Sequence, residues 1–431
     1  MKRNILSSLL ICAFLLALAL AGCNQVTPSA SNPPPSEPKQ TEPKAKVEKI
    51  VYTHLGDWAT DYFEKASSDF TAQTGIEVDR QFWPFQDGYE KYVTAIAGGD
   101  APDCGMGFGE WAAEFYERGA IIPLNDLVSA EYSENLYDSA RATSTYKGNL
   151  IGLPFITSIR TPIYRADIFE AKDLEPPTTI DKLLTACKAL YNPPELYGYG
   201  LCSARNKNTT EFFLELFWPL GGEILSADET KVAFNSPAGI RALEIFAELA
   251  ETCPEGYQTS DIYLGENAFT AGNLAVMINA PWIVSSLKEN IPDAKAVILP
   301  YIEGSEGNKG NLYVADLVYV FSKDPQRAQA SVDWIEFYKS DEKYLGEAYA
   351  NFGLPPDLKF QTDWAFMESE TAKILQQAVE FGRARPITAA WPQIDDAISV
   401  AVGKVCAGQA TPADALAEAE QLANDALASV A

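Results

Sequence analysis

Three tryptophans stand where strands are expected to end. Trp282 follows the apolar run Leu274 to Ile278 and the breaker Asn279-Ala280-Pro281. Proline fixes its own φ and pushes Ala280 out of the helical region, so a strand must stop there. Trp58 follows the strand-like KIVYTH (Lys49 to His54), and Trp111 follows Gly107-Phe108-Gly109-Glu110. In open α/β sheets ligands lie in the crevice outside such strand ends. A flat apolar face there suits stacking on a sugar ring; the alternative for Trp282 is plain core packing. Asp57 and Glu110 stand beside two of these rings, and a carboxylate pair could also serve a glycosidase as acid and base. With His54 the lone histidine, a Ser-His-Asp set would have to run through it. No CxxC spacing occurs, so a zinc site is not expected. No Gly-x-Gly-x-x-Gly opens the first helix, so no dinucleotide cofactor is expected either.

Rigid elements must hold these residues. Asp61 to Thr74 carries Tyr62, Phe63, Ala66 and Phe70 on one helical face and stops at Gly75. Ile76 to Phe82 reads as a second strand, Tyr89 to Ala97 as a second helix, and a third short strand runs into Gly107. This βαβαβ order predicts a parallel sheet. Helices follow at Trp111 to Arg118, Asp181 to Leu190, Thr210 to Trp218, Gly239 to Glu251 and Pro325 to Tyr338, with a strand at Leu317 to Phe321. Asn149 to Pro154 and Ala296 to Pro300 are extended runs suited to crossing between two lobes. From Thr371 the pattern is helical, broken at Pro386, Pro392 and Pro412. Trp334 and Trp364 read as packing residues, and Trp83 as a cleft loop or a lobe surface. Arg385 reads as a hinge salt bridge or a ligand contact, and the charges on the last helix (Glu418, Glu420, Asp425) as a solvated face.

At 431 residues the chain is long enough for two domains. Its net charge of −26, from 33 basic and 59 acidic residues, lacks the basic footprint that nucleic acid requires. The balance favours neutral or cationic partners. Lys2 and Arg3 precede an apolar run, Ile5 to Leu20, too short for a comfortable membrane span. It ends in Leu20-Ala21-Gly22-Cys23, after which Asn24 to Ala45 is rich in Pro, Ser and Thr and reads as an extended tether. Beyond Cys12 and Cys23, five cysteines remain: Cys104, Cys187, Cys202, Cys253 and Cys406. An odd number leaves at least one thiol unpaired within the monomer, and either two bridges or buried free thiols satisfy the count.

The segment ending at Cys23 resembles the lipobox of bacterial lipoproteins, which implies cleavage before Cys23 and a lipid on its thiol. The remainder resembles the extracellular solute-binding proteins of ABC importers, in the group of maltose- and multiple-sugar-binding proteins. The resemblance rests on FTAQTGIEV (Phe70 to Val78), YVTAIAGGDAPD (Tyr92 to Asp103), GAIIPL (Gly119 to Leu124), PLGGEIL (Pro219 to Leu225), Phe269 to Trp282 and AGQATPADAL (Ala407 to Leu416). It implies a two-lobed α/β fold of the type II periplasmic-binding class, each lobe a mostly parallel sheet flanked by helices, with the ligand cleft between lobes. The implied layout is a signal peptide over 1–22, a lipidated tether over 23–46, lobe 1 over 47–154 and 300–350, and lobe 2 over 155–299 and 351–431. It further implies a monomer on the outer face of the membrane that presents a sugar to a permease, with no cofactor, metal or catalysis. The cleft positions that carry over are Asp57, Trp58, Glu110, Trp111, Ser158, Arg160, Phe213, Trp218, Trp282, Trp391 and Asp395, with Asp316 beside the second crossing as a further candidate. Asp395 stands where an aromatic residue is expected, which counts against maltodextrin but not against sugars. Two rival readings are a polyamine or other cation on the same fold, which the net charge favours, and a carbohydrate-active enzyme.

Overall fold

Alternating apolar residues bury one sheet face against aromatic helices. The computed structural model of the protein describes residues 46–56 and 60–430; the leader, Cys23, the tether to Ala45, Asp57 and Trp58 lie outside the described residues. The strands are β1 (Lys49–Leu55), β2 (Glu77–Trp83), β3 (Cys104–Phe108), β4 (Thr145–Tyr146), β5 (Asn149–Leu150), β6 (Leu153–Ile159), β7 (Thr161–Arg165), β8 (Tyr197–Tyr199), β9 (Leu274–Asn279), β10 (Ala296–Ile298), β11 (Asn311–Val320) and β12 (Gly382–Ala384).

The first sheet runs β12-β11-β3-β1-β2, with β6 also paired to β11. β1 pairs in parallel with β2 and β3, as the βαβαβ pattern requires. The helix Thr60–Thr74 makes the first crossover; Gly75 ends it at a φ of 74°, a conformation that L side chains rarely adopt. β11 arrives from the other lobe and runs antiparallel to β3 and β6. Its Asp316 sits at a bulge in mid-strand, not at the strand start expected from the sequence, because β11 begins five residues earlier, at Asn311. The second sheet, β10-β7-β9-β8, departs from the expected parallel pattern: only β8 and β9 run parallel.

The chain changes sheets at Arg160, between β6 and β7, and not within 149–154, because β6 still pairs with β11 up to Ile159. The return lies between β10 and β11, and a third passage follows β12. Two large apolar clusters match the two sheets. Tyr52, Phe63, Phe70, Trp334 and Tyr338 belong to one; Phe213, Trp218, Phe246, Trp391 and Ile398 to the other. Leu354, Leu358 and Trp364 pack in the first cluster, so residues 351–364 depart from the second lobe to which the sequence reading gave them.

A buried ion pair holds this last stretch. Lys339 Nζ, fully buried, donates to Asp357 Oδ2 at 2.7 Å, to the Tyr349 hydroxyl at 2.8 Å and to the Phe155 carbonyl at 2.6 Å. Thr157 on β6 donates to the other carboxylate oxygen of Asp357. Cys104, Cys187, Cys202, Cys253 and Cys406 are free thiols, Cys406 half-buried and the rest buried; burial pushes Cys104 up to about 12. Among the described residues no helix is long and apolar enough to cross a membrane. Asp357→Ala should strand the Lys339 ammonium without its counter-charge and lower stability by about 3–5 kcal/mol. Denaturant titration at neutral pH reads this, and a loss below about 1 kcal/mol would show the pair to be dispensable.

Candidate functional site

Short elements from both lobes converge on one line of charged side chains. After β3 the chain turns through Gly109–Trp111. A Cβ on Gly109 would lie 2.6 Å from the Ala315 carbonyl oxygen, so glycine lets this turn press against β11 and project Glu110. Arg385, just past β12, donates to Glu110 at 3.0 Å and to Glu211 at 2.8 Å, and all three side chains are at most 6 % exposed. Glu211 lies on the helix Lys207–Phe217, which Asn206 caps by accepting from the Thr209 amide. Arg160, at the crossing, stands 3.9 Å from Glu211 and donates to Asn279 Oδ1 at 3.1 Å. Asn279 ends β9 and donates to Glu266 at 2.9 Å. The chain Glu110–Arg385–Glu211–Arg160–Asn279–Glu266 therefore joins the first sheet to the second.

Burial and charge compete along this line. Burial would push Glu211 up, but Lys207, Arg385 and Arg160 outweigh it and hold the carboxyl at about 2. Burial also works against the Arg385 cation, yet Glu110 and Glu211 more than offset it and raise its pKa. Desolvation wins at Asp316 and Asp395, each pushed up to about 7 despite the nearby arginines. Glu215 and Glu266 are also raised, by burial first. Three buried polar atoms on or beside this line have no partner among the described residues: Arg160 Nε on it, and Asp316 Oδ1 and Glu215 Oε2 beside it. Beside it an open cavity of about 510 Å³ is lined by Asn206, Ser260, Asp261, Tyr263 and Asn267, and the Tyr263 residue is 46 % exposed.

The structure brings Glu110, Arg160, Asp316 and Asp395 of the sequence candidates into one electrostatic neighbourhood. Trp111 is half-buried with its ring edge-on to Phe108 at 4.7 Å. Ser158 is half-buried on β6 opposite Val314, and Trp282 is half-buried as the first residue of the helix Trp282–Asn290. Phe213, Trp218 and Trp391 are corrected: they are at most 2 % exposed within the second apolar cluster and offer no open face. The helix that carries Phe213 is buried from Thr209 to Phe217, so an aromatic there packs, and Phe213 stacks on Phe217 at 5.1 Å. Lys207, Glu211 and Glu215 were missed, although their four-residue spacing is a readable stripe on one helical face. Tyr263 carried no sequence signal of its own. His54 is fully buried among Phe63, Phe82 and Phe155, and burial lowers it to about 3, which removes it as a general base. Among the described residues no group of three or more His, Cys, Asp or Glu could hold a metal ion.

The sequence profile of the bacterial extracellular solute-binding proteins matches residues 65–359, and the chain belongs to that family. A binding protein of Brucella abortus (strain 2308) is 26 % identical over 370 residues, covering 83 % of this chain and 88 % of that one. The maltotriose-binding protein of Pyrococcus abyssi is 24 % identical over 266 residues, covering 61 % of this chain and 56 % of that one. An ABC transporter solute-binding protein from Thermotoga lettingae, solved with α-D-tagatose, superposes with a TM-score of 0.79 at 24 % identity, covering 88 % of this chain and all of that one. The family consists of binding proteins, and the protein is not an enzyme.

The raised pKa of Asp316 has a stability consequence. The unfolded carboxyl titrates near 4 and the folded one near 7, so the folded state binds more protons between these values. Stability from this group is complete below pH ~4 and lost as pH rises through 7. Asp316→Asn, a mimic of the protonated form, should raise the melting temperature at about pH 8 by several degrees and leave it nearly unchanged at about pH 4. An equal shift at both pH values would refute the assignment.

Proposed function

We propose that the protein captures a mono- or oligosaccharide between its two lobes and hands it to the permease of an ABC importer. The observation that carries this reading is the charged line that joins the two lobes, together with the cavity on its second-lobe side, lined by Asn206 and residues 259–267. The half-exposed Tyr263 offers an aromatic face, and Asn206, Ser260, Asp261 and Asn267 surround it with amide, hydroxyl and carboxylate groups. That combination suits a solute with apolar CH faces and many hydroxyls. The tagatose-bound ABC transporter protein and the maltotriose-binding protein support the sugar class. The three passages of the chain between sheets support a hinge about which the lobes close on the solute. Leu20-Ala21-Gly22-Cys23 supports a lipid on Cys23 that holds the protein on the outer face of the membrane.

Intrinsic tryptophan fluorescence of the full-length protein, titrated with a panel of mono- and oligosaccharides, tests the reading. A saturable change with one sugar is expected, weakened roughly tenfold or more in Tyr263→Ala and in Arg160→Ala. Silence across the panel, checked by calorimetry, would overturn the carbohydrate assignment.

A further inference from the structure

Lys207 opens the helix Lys207–Phe217 and reaches across to the first lobe. Its Nζ lies 3.2 Å from the centroid of the Phe108 ring, at the end of β3. The negative face of an aromatic ring attracts a cation, most strongly where water is excluded. The same ammonium is an electrostatic neighbour of Glu211 and Asp316. An aromatic face flanked by carboxylates is a seat for an ammonium group, and here the chain fills it with its own side chain.

The surroundings of that seat hold more carboxyl groups than cations, and burial keeps Glu215, Glu266, Asp316 and Asp395 toward the neutral form. Seven carboxyl groups are linked through this neighbourhood, those of Glu110, Glu211, Glu215, Asp261, Glu266, Asp316 and Asp395, with three cations, Arg160, Lys207 and Arg385. Glu215 is only 3 % exposed, one helical turn beyond Glu211, and its Oε2 has no partner among the described residues. Asp316 Oδ1 is likewise unpartnered and buried. A buried acceptor without a donor is costly, so a donor that carries positive charge meets two needs: it supplies the missing bond and it stabilises the ionised form of the carboxyl beside it. A neutral sugar hydroxyl meets only the first.

Resting on the sugar-capture reading above, we propose that the solute is an amino sugar or a similarly aminated polyol. Its ammonium takes the seat on Phe108 that Lys207 occupies here, near Asp316 and Glu211, while its hydroxyls face the Tyr263 cavity. Lys207 is then a tethered competitor that sets specificity: only a solute whose own cation replaces it recovers the lost contact.

Calorimetric titration of the full-length protein at about pH 6.5, where an amine remains charged, distinguishes the possibilities. The probes are D-glucosamine, its neutral counterpart N-acetyl-D-glucosamine, D-glucose and spermidine. Glucosamine should bind roughly tenfold tighter than either neutral sugar. Lys207→Met should tighten glucosamine several-fold by removing the competitor, and Phe108→Leu should weaken glucosamine several-fold more than it weakens the neutral sugars. Neutral sugars binding as tightly as glucosamine, or Lys207→Met weakening all sugars alike, would overturn the amine assignment and leave the sugar reading standing. Spermidine binding with no sugar bound would uphold the cation seat and end the sugar reading. No binding by any probe would overturn both.

Discussion

Arg385 holds Glu110 from the first lobe and Glu211 from the second on one buried guanidinium. Its planar fork lets it bond both carboxylates at once, which a lysine could not do with the same geometry. The arrangement is a constraint as much as an attraction. Removing the arginine would leave the buried Glu110 without its ion-pair partner and Glu211 with only Lys207 and Arg160 to offset its burial, a state far costlier than the pair is favourable. Arg160, Asn279 and Glu266 continue the line into the second sheet through a 3.9 Å approach to Glu211 and the hydrogen bonds of Asn279.

The two lobes solve the problem of buried charge differently. In the first, Lys339 and Asp357 close a fully satisfied set with Tyr349, Thr157 and the Phe155 carbonyl, remote from solvent and complete in itself. Between the lobes the set is left incomplete, with Asp316, Glu215 and Arg160 each keeping an atom unpaired among the described residues. A satisfied network rigidifies the fold, whereas a partly satisfied one has binding capacity left over. The same chemistry thus anchors residues 351–364 in one place and leaves a receptive surface in another.

Much of the architecture was legible because it depends on local pattern. The β1–β3 unit, the breaker at Pro281 and the helix after Asp324 follow from turn residues and apolar spacing. Sheet membership was less so: β6 and β11 find each other across more than 150 residues, and no local pattern says that the crossing waits until Arg160. At the site, the sequence candidates Glu110 and Asp395 fall in the electrostatic neighbourhood of Arg385, yet Arg385 was given no partner, since Glu110 is 275 residues away. Phe213, Trp218 and Trp391 misled because aromatic residues serve cores and clefts alike. Lys207, Glu211 and Glu215 escaped because charges on a helix usually mean a wet face, and here that face is buried.

The threefold passage between sheets also governs the order in which the molecule can assemble. β3 waits for β11, and Asp103 pairs with Arg327, 224 positions further on. While the chain emerges from its amino end, the parallel strands β1 to β3 have no antiparallel cover, and the whole of the second sheet must appear before that cover arrives. Contacts of such separation are slow to form because the intervening loop must close first. The nascent first lobe therefore stays open longer than its place in the sequence suggests, and a chain cut anywhere before residue 311 would lack a finished sheet on its amino-terminal side.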